Sequence, residues 1–168
     1  MDAIIYTTNS GSTAQYAQML GEKTGLPVYA LSVAKQYVAA GSEILYLGWL
    51  MAGTVKGYAK AAKQYRVSGV CGVGMGHTGT QIQEIRSKNH IPAQTAVFTL
   101  QGDLDITKLR GVYKLMMQVM LRTAGKGLEQ KQNRTPEEDE MLNMLHHGTG
   151  WIREENLDAV LDWYSQQK

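Results

Sequence analysis

The stretch AIIYTTNSGSTAQYA, residues 3–17, passes from an apolar run into a loop of hydroxyls and then into a helix-favouring series. Ala3-Ile4-Ile5-Tyr6 has the composition of a buried strand, and the residues from Thr13 to Thr24 are rich in good helix formers. Between them Thr7, Thr8, Ser10, Ser12 and Thr13 crowd five hydroxyls around Gly11, with no lysine or arginine from Thr7 to Ala17. A loop that leaves a strand and opens a helix presents backbone N–H groups at the positive end of the helix dipole. It can therefore hold an anion without a cationic side chain. Thr8, Ser10, Ser12 and Thr13 add hydroxyl donors around the same point. The plain alternative for a single residue here is a cap, with Thr8 or Asn9 closing the first turn. No Gly-Lys-Ser/Thr is present, which disfavours triphosphate hydrolysis.

The same alternation continues outward from this stretch. Apolar runs at Ala3–Tyr6, Val28–Leu31, Glu43–Gly48, Ser68–Gly74 and Thr95–Leu100 are bounded by Gly, Pro, Ser or Thr. Helical spacing marks Thr13–Thr24, a briefer Ser32–Ala40, Val55–Tyr65 and Thr80–Asn89. Strands that read as continuous apolar runs are buried on both faces, as in a parallel sheet with helices on either side. The fold class expected is α/β, a doubly wound five-stranded parallel sheet in one domain. Ligands in such sheets bind beyond the carboxyl ends of the strands, where the loops Thr7–Thr13, Trp49–Thr54 and Gly76–Thr80 fall.

Composition narrows the function classes. The 168 residues are 43% hydrophobic, enough for a real core, and 17 basic against 15 acidic residues leave a formal charge of only +2. No basic run argues for nucleic acid. Cys71, alone in the apolar stretch Val70–Val73, reads as a small buried hydrophobe. With no disulfide framework, no cleavage signal and no bilayer-length apolar run, the expected location is cytoplasmic. His146 and His147 lack the i, i+4 spacing of a helical zinc pair, and no metal site is expected.

Two further loops carry candidate chemistry. Trp49 can offer a stacking face to a planar ligand, or can instead shield a helix end. Gly74-Met75-Gly76-His77-Thr78-Gly79 fits the glycine pattern of dinucleotide sites, with Asp103 at a suitable distance beyond it, so a dinucleotide is an alternative cofactor. His77 has no evident carboxylate partner that would make it a general base.

Thr8-Asn9-Ser10-Gly11-Ser12-Thr13 resembles the Thr/Ser-x-Thr/Ser-Gly-x-Thr phosphate loop of the flavodoxins, and it stands in that family's position after the first strand. The resemblance covers roughly the first hundred residues by order of elements. It implies a flavodoxin-like sheet of order 2-1-3-4-5 and a non-covalently bound FMN whose phosphate sits on Thr8–Thr13. It also implies Trp49 beside the isoalloxazine ring in a loop with Leu50, Met51, Ala52 and Gly53. Gly53 would give that loop freedom to reorient its peptide. Gly76, His77, Thr78 and Gly79 would line the other edge of the ring, where many flavodoxins have a tyrosine that is missing here. The implied function is electron transfer with a redox partner protein or a small-molecule donor or acceptor.

After the fifth strand, residues 101–150 form an insertion before a closing helix at Glu154–Gln167, whose Leu157, Val160, Leu161 and Tyr164 have core-facing spacing. Within it, 107–122 reads as a helix apolar around most of its circumference. A second helix opening at Thr135-Pro136-Glu137-Glu138 offers it cover. The basic ends of 107–122 also suit peripheral contact with an anionic membrane. This methionine-rich helix and Trp151 resemble, more loosely, the flavodoxin-type, menaquinone-dependent protoporphyrinogen oxidases. That resemblance implies an FMN-dependent oxidoreductase with a quinone acceptor as an alternative function. A flavodoxin-like binding module without flavin is a third.

Overall fold

The computed structural model describes residues 1–103 and 150–167, with Leu115, Asn133 and Thr135 between them. The chain opens with β1 (Ala3–Thr7), α1 (Ser12–Thr24) and β2 (Val28–Ala30). A 3-10 turn at Ala34–Gln36 leads to β3 (Glu43–Met51), β4 (Thr54–Val55), α2 (Tyr58–Ala62) and β5 (Arg66–Gly74). After α3 (Ile82–Lys88) and β6 (Ala96–Gln101), a 3-10 turn at Glu154–Leu157 runs into α4 (Asp158–Ser165). Five strands pair in parallel in the order β2-β1-β3-β5-β6, and the short β4 pairs antiparallel with the end of β3. With β4 set aside, this is the strand order expected from the sequence.

Alternation along the strands divides the core in two, as burial on both faces of a parallel sheet requires. Ala3, Ile5, Ile44, Tyr46, Val70 and Val97 face a layer formed by the first 3-10 turn, α2 and α3. Ile4, Leu45, Leu47, Cys71, Val73 and Leu100 face α1 and the closing segment, meeting Tyr16, Ala17, Leu20, Leu157 and Val160. Cys71 is fully buried, and burial pushes its thiol pKa far up, so it behaves as a hydrophobe.

Strand ends shift by a residue or two, Gln101 belongs to β6 rather than to the insertion, and the closing helix expected at Glu154–Gln167 is a 3-10 turn followed by Asp158–Ser165. Three larger departures from the sequence reading have a visible reason. The third strand continues to Met51 and turns back through Ala52 and Gly53 into β4, so the expected loop is a two-residue hairpin. Val55, Tyr58, Ala61 and Tyr65 are all buried at a spacing that imitates one long helix, whereas only Tyr58–Ala62 is α-helical. Likewise Leu31, Ala34 and Val38 are buried at helical intervals, yet the chain there makes only the 3-10 turn. Gly48 is where the hairpin demands a glycine: a Cβ would lie 2.6 Å from the Lys56 carbonyl of the returning chain. The reading of 107–122 as a self-packed or membrane-touching helix, and of a second helix from Thr135, falls on 104–149, mostly outside the described residues.

Candidate functional site

The strand register places three loops side by side. Thr7 pairs with Gly48, Trp49 with Val73 and Gly74 with Gln101, so the carboxyl ends of β1, β3, β5 and β6 form one rim.

On that rim, the first loop is built by its own hydroxyls. The Thr7 hydroxyl is bonded to the Tyr46 hydroxyl at 2.8 Å, and Tyr46 also donates to the Lys56 carbonyl at 2.7 Å. Burial pushes the Tyr46 hydroxyl up to about 12, with the bond to Thr7 acting in the opposite direction. Thr8 Oγ1 accepts the Gly11 N–H at 3.1 Å, closing a turn that ends with Gly11 at φ 105°. Ser12 donates its hydroxyl proton to the Asp103 carbonyl at 2.9 Å, and Thr13 is buried. Asn9 and Ser10 are half-buried. Neither Thr8 nor Asn9 caps the helix: α1 has no side-chain cap and no acidic residue in its first turn. Its first intrahelical bond runs from Gln15 N–H to the Gly11 carbonyl. The amides of Ser12, Thr13 and Ala14 therefore precede the helical ladder, at the positive end of a 13-residue helix.

The second loop departs furthest from expectation. Trp49 lies inside β3 rather than after it, half-buried, with Lys56 Nζ 5.8 Å from its ring centroid. Leu50 packs across the glycines of β5, where a Cβ on Gly72 or Gly74 would come within 3.0 Å of it. Met51 ends the strand opposite Thr54, and Ala52 and Gly53 make the turn at φ 48° and 75°. Positive φ at both central residues is the type I′ pattern, which matches strand twist and normally calls for Asn-Gly or Gly-Gly. Asn89 clamps this turn from the end of α3. Its Nδ2 donates to the Gly53 and Ile85 carbonyls, and its Oδ1 accepts the Val55 N–H, each at 2.8 Å.

In the third loop Gly76, His77 and Gly79 are exposed, whereas Thr78 turns inward. Thr78 Oγ1 accepts the Gln101 N–H at 3.0 Å and donates to Asn156 Oδ1 at 2.9 Å. Gly79 N–H reaches the Thr99 carbonyl, and the Thr80 hydroxyl bonds the His77 carbonyl.

Sequence reasoning missed the polar centre that joins these parts. The buried Tyr16 hydroxyl donates to the Gln101 carbonyl at 2.5 Å and accepts from Asn156 Nδ2 at 2.6 Å, and burial raises its pKa. Asn156 also donates to the Trp151 carbonyl at 2.8 Å, and the Trp151 N–H donates to Asp103 Oδ1 at 2.8 Å. Asp103, the acidic residue of the dinucleotide alternative, thus spends a carboxylate oxygen pinning the point where the chain returns from 104–149. The signal available was Tyr16 on the buried face of α1, which needs a partner for its hydroxyl. Nothing in sequence pointed to Asn156, 140 residues away.

The chain matches no protein-family model, no curated protein and no solved structure.

Proposed function

We propose that this protein is a flavodoxin-like FMN-binding protein that transfers electrons through a non-covalently held flavin. The observation that carries the reading is the rim itself: three loops on adjacent parallel strands lie beside a helix N-terminus that begins after Gly11 without a side-chain cap. A phosphate dianion suits that position, because the first-turn amides lack intrahelical acceptors and no carboxylate in the first turn competes.

The residues present fit the group in distinct roles. Ser10 and the amides around Gly11 hold the phosphate, and the Thr8 hydroxyl, whose oxygen already accepts the Gly11 N–H, keeps its proton for a further donation. Ser12 acts indirectly, fixing the helix start against Asp103. Trp49 gives a ring face at the rim, and Lys56 beside it favours negative charge nearby. Asn89 holds the hairpin of Ala52 and Gly53, and Thr78 holds the loop of Gly76, His77 and Gly79, so both edges are fixed before a ligand arrives. When bound, FMN supplies the electron chemistry, and the chain supplies position and potential.

The test is Ser10→Ala, which removes a proposed phosphate donor without touching a bond that builds the loop. FMN affinity should fall about tenfold, the value of one hydrogen bond to a charged group, while riboflavin binding stays unchanged. Equal loss for both ligands, or no loss for FMN, would remove the phosphate role.

A further inference from the structure

Charge is sorted between the two helical layers. The layer of the first 3-10 turn, α2 and α3 carries Lys35, Lys56, Lys60, Lys63, Arg86 and Lys88 against the single carboxylate Glu84. From Ile44 to Gln83 there is no acidic residue at all. The opposite layer, α1 with the closing segment, carries Glu22, Glu154, Glu155, Asp158 and Asp162 against Lys23 and Arg153. Among the described residues, charge is therefore strongly polarised across the sheet.

The cations of the basic layer are not equivalent. Arg86 is an internal strut, donating to the Pro92 and Thr95 carbonyls. Lys35, Lys60, Lys63 and Lys88 are exposed, and among the described residues the ion pairs are Met1–Glu43, Lys23–Glu154 and Arg66–Glu43, none of which involves this layer's lysines. The lysines also reach the candidate site. Lys56 lies beside the Trp49 ring, and the stem of Lys88 passes within 3.0 Å of where a Cβ on Gly53 would stand.

From this arrangement we infer that the α2–α3 face is a docking surface for an acidic protein, oriented so that the partner meets the hairpin edge of the site. Compact ammonium groups on flexible stems steer and pair with dispersed carboxylates, and the acidic opposite layer turns the molecule so that this face leads. Glu84, beside the Gly53 turn, would repel a continuous phosphate backbone, whereas a protein surface can answer it with one of its own cations. The inference goes beyond flavin binding and can be tested on the protein without added FMN.

The probe is poly-L-glutamate, with zero-length carbodiimide cross-linking read by mass spectrometry and affinity measured at low and physiological ionic strength. Cross-links should fall on Lys56, Lys60, Lys63 and Lys88. The variant carrying Lys56→Gln, Lys60→Gln, Lys63→Gln and Lys88→Gln should bind about tenfold more weakly at low salt and show a shallower salt dependence. A second variant, with Glu22→Gln, Glu155→Gln, Asp158→Asn and Asp162→Asn on the other layer, makes a charge change of the same size and should alter affinity little. Cross-links concentrated on Lys23, Lys108 or Lys114 would overturn the assignment. So would an acidic-layer variant that gains as much affinity as the lysine variant loses, since net charge alone would then account for binding. Tighter binding of duplex DNA than of polyglutamate at equal salt would replace the protein partner with nucleic acid.

Discussion

The two ends of the sheet are fastened by different chemistry. At the amino end, the Glu43 carboxylate accepts the Ser68 hydroxyl at 2.5 Å and the Arg66 guanidinium at 2.8 Å, with the chain's amino terminus 3.9 Å away. At the carboxyl rim the described loops are held mainly by hydroxyls, amides and carbonyls, through Thr7 with Tyr46, Tyr16 with Asn156, Thr78 with Gln101 and Asn89 with Gly53. The difference has an electrostatic meaning. A fixed ion pair beside α1 would offer its own countercharge to the helix start; the described bonds there are neutral apart from the Asp103 carboxylate, which accepts the Trp151 N–H. The ionic end fastens the sheet, and the carboxyl end is where the proposed ligand would sit.

The largest effect should come from breaking the neutral end at its centre. Asn156 donates to Tyr16 and to the Trp151 carbonyl and accepts from Thr78, so Asn156→Ala removes three part-buried bonds. A loss of about 3 kcal/mol in urea unfolding is expected, near 1 kcal/mol for each bond. A loss below about 0.5 kcal/mol would show that the network is ornamental.

Glu43→Gln tests the ionic end and should cost less, about 1 kcal/mol near neutral pH, as partly exposed pairs do. The hydrogen bond from Ser68, then the one from Arg66, holds the Glu43 carboxyl below the usual glutamate value. A folded pKa depressed below the unfolded one contributes stability that is fully present above the unfolded pKa and lost as pH falls through the folded pKa. The gap between wild type and variant should therefore close on acidification. A gap that persists well below the glutamate range would mean that shape, not charge, gives Glu43 its role.

A smaller effect of opposite sign is expected at the hairpin. Ala52 sits at φ 48°, a left-handed conformation that a side chain resists. Ala52→Gly should raise stability by up to about 1 kcal/mol, part of the relief being offset by the freer unfolded chain. Destabilisation by the glycine would show that the turn does not strain Ala52.

What was legible in sequence follows the same division. The five parallel strands could be read because burial on both faces leaves continuous apolar runs, and the first loop could be placed between β1 and α1, although the bonds its Thr7, Thr8 and Ser12 hydroxyls make within the protein could not be read. The hairpin was hidden: Ala-Gly is not the usual type I′ pair, and Val55, Tyr58, Ala61 and Tyr65 keep helical spacing through a strand, a turn and a short helix. The bonds from Asn156 were hidden for another reason. They join residues brought together only by the completed sheet, and a single asparagine before a helix has many possible uses.

The central claim, that the neutral rim receives FMN through its phosphate and its ring, is tested most directly by titrating the protein with FMN and with riboflavin while following Trp49 emission against the Trp49→Ala variant. The account predicts that both ligands quench Trp49, that FMN binds about a hundredfold more tightly because only it can use the helix start, and that Trp49→Ala weakens the two ligands equally. Equal affinities for FMN and riboflavin, or quenching that the variant shares, would contradict it.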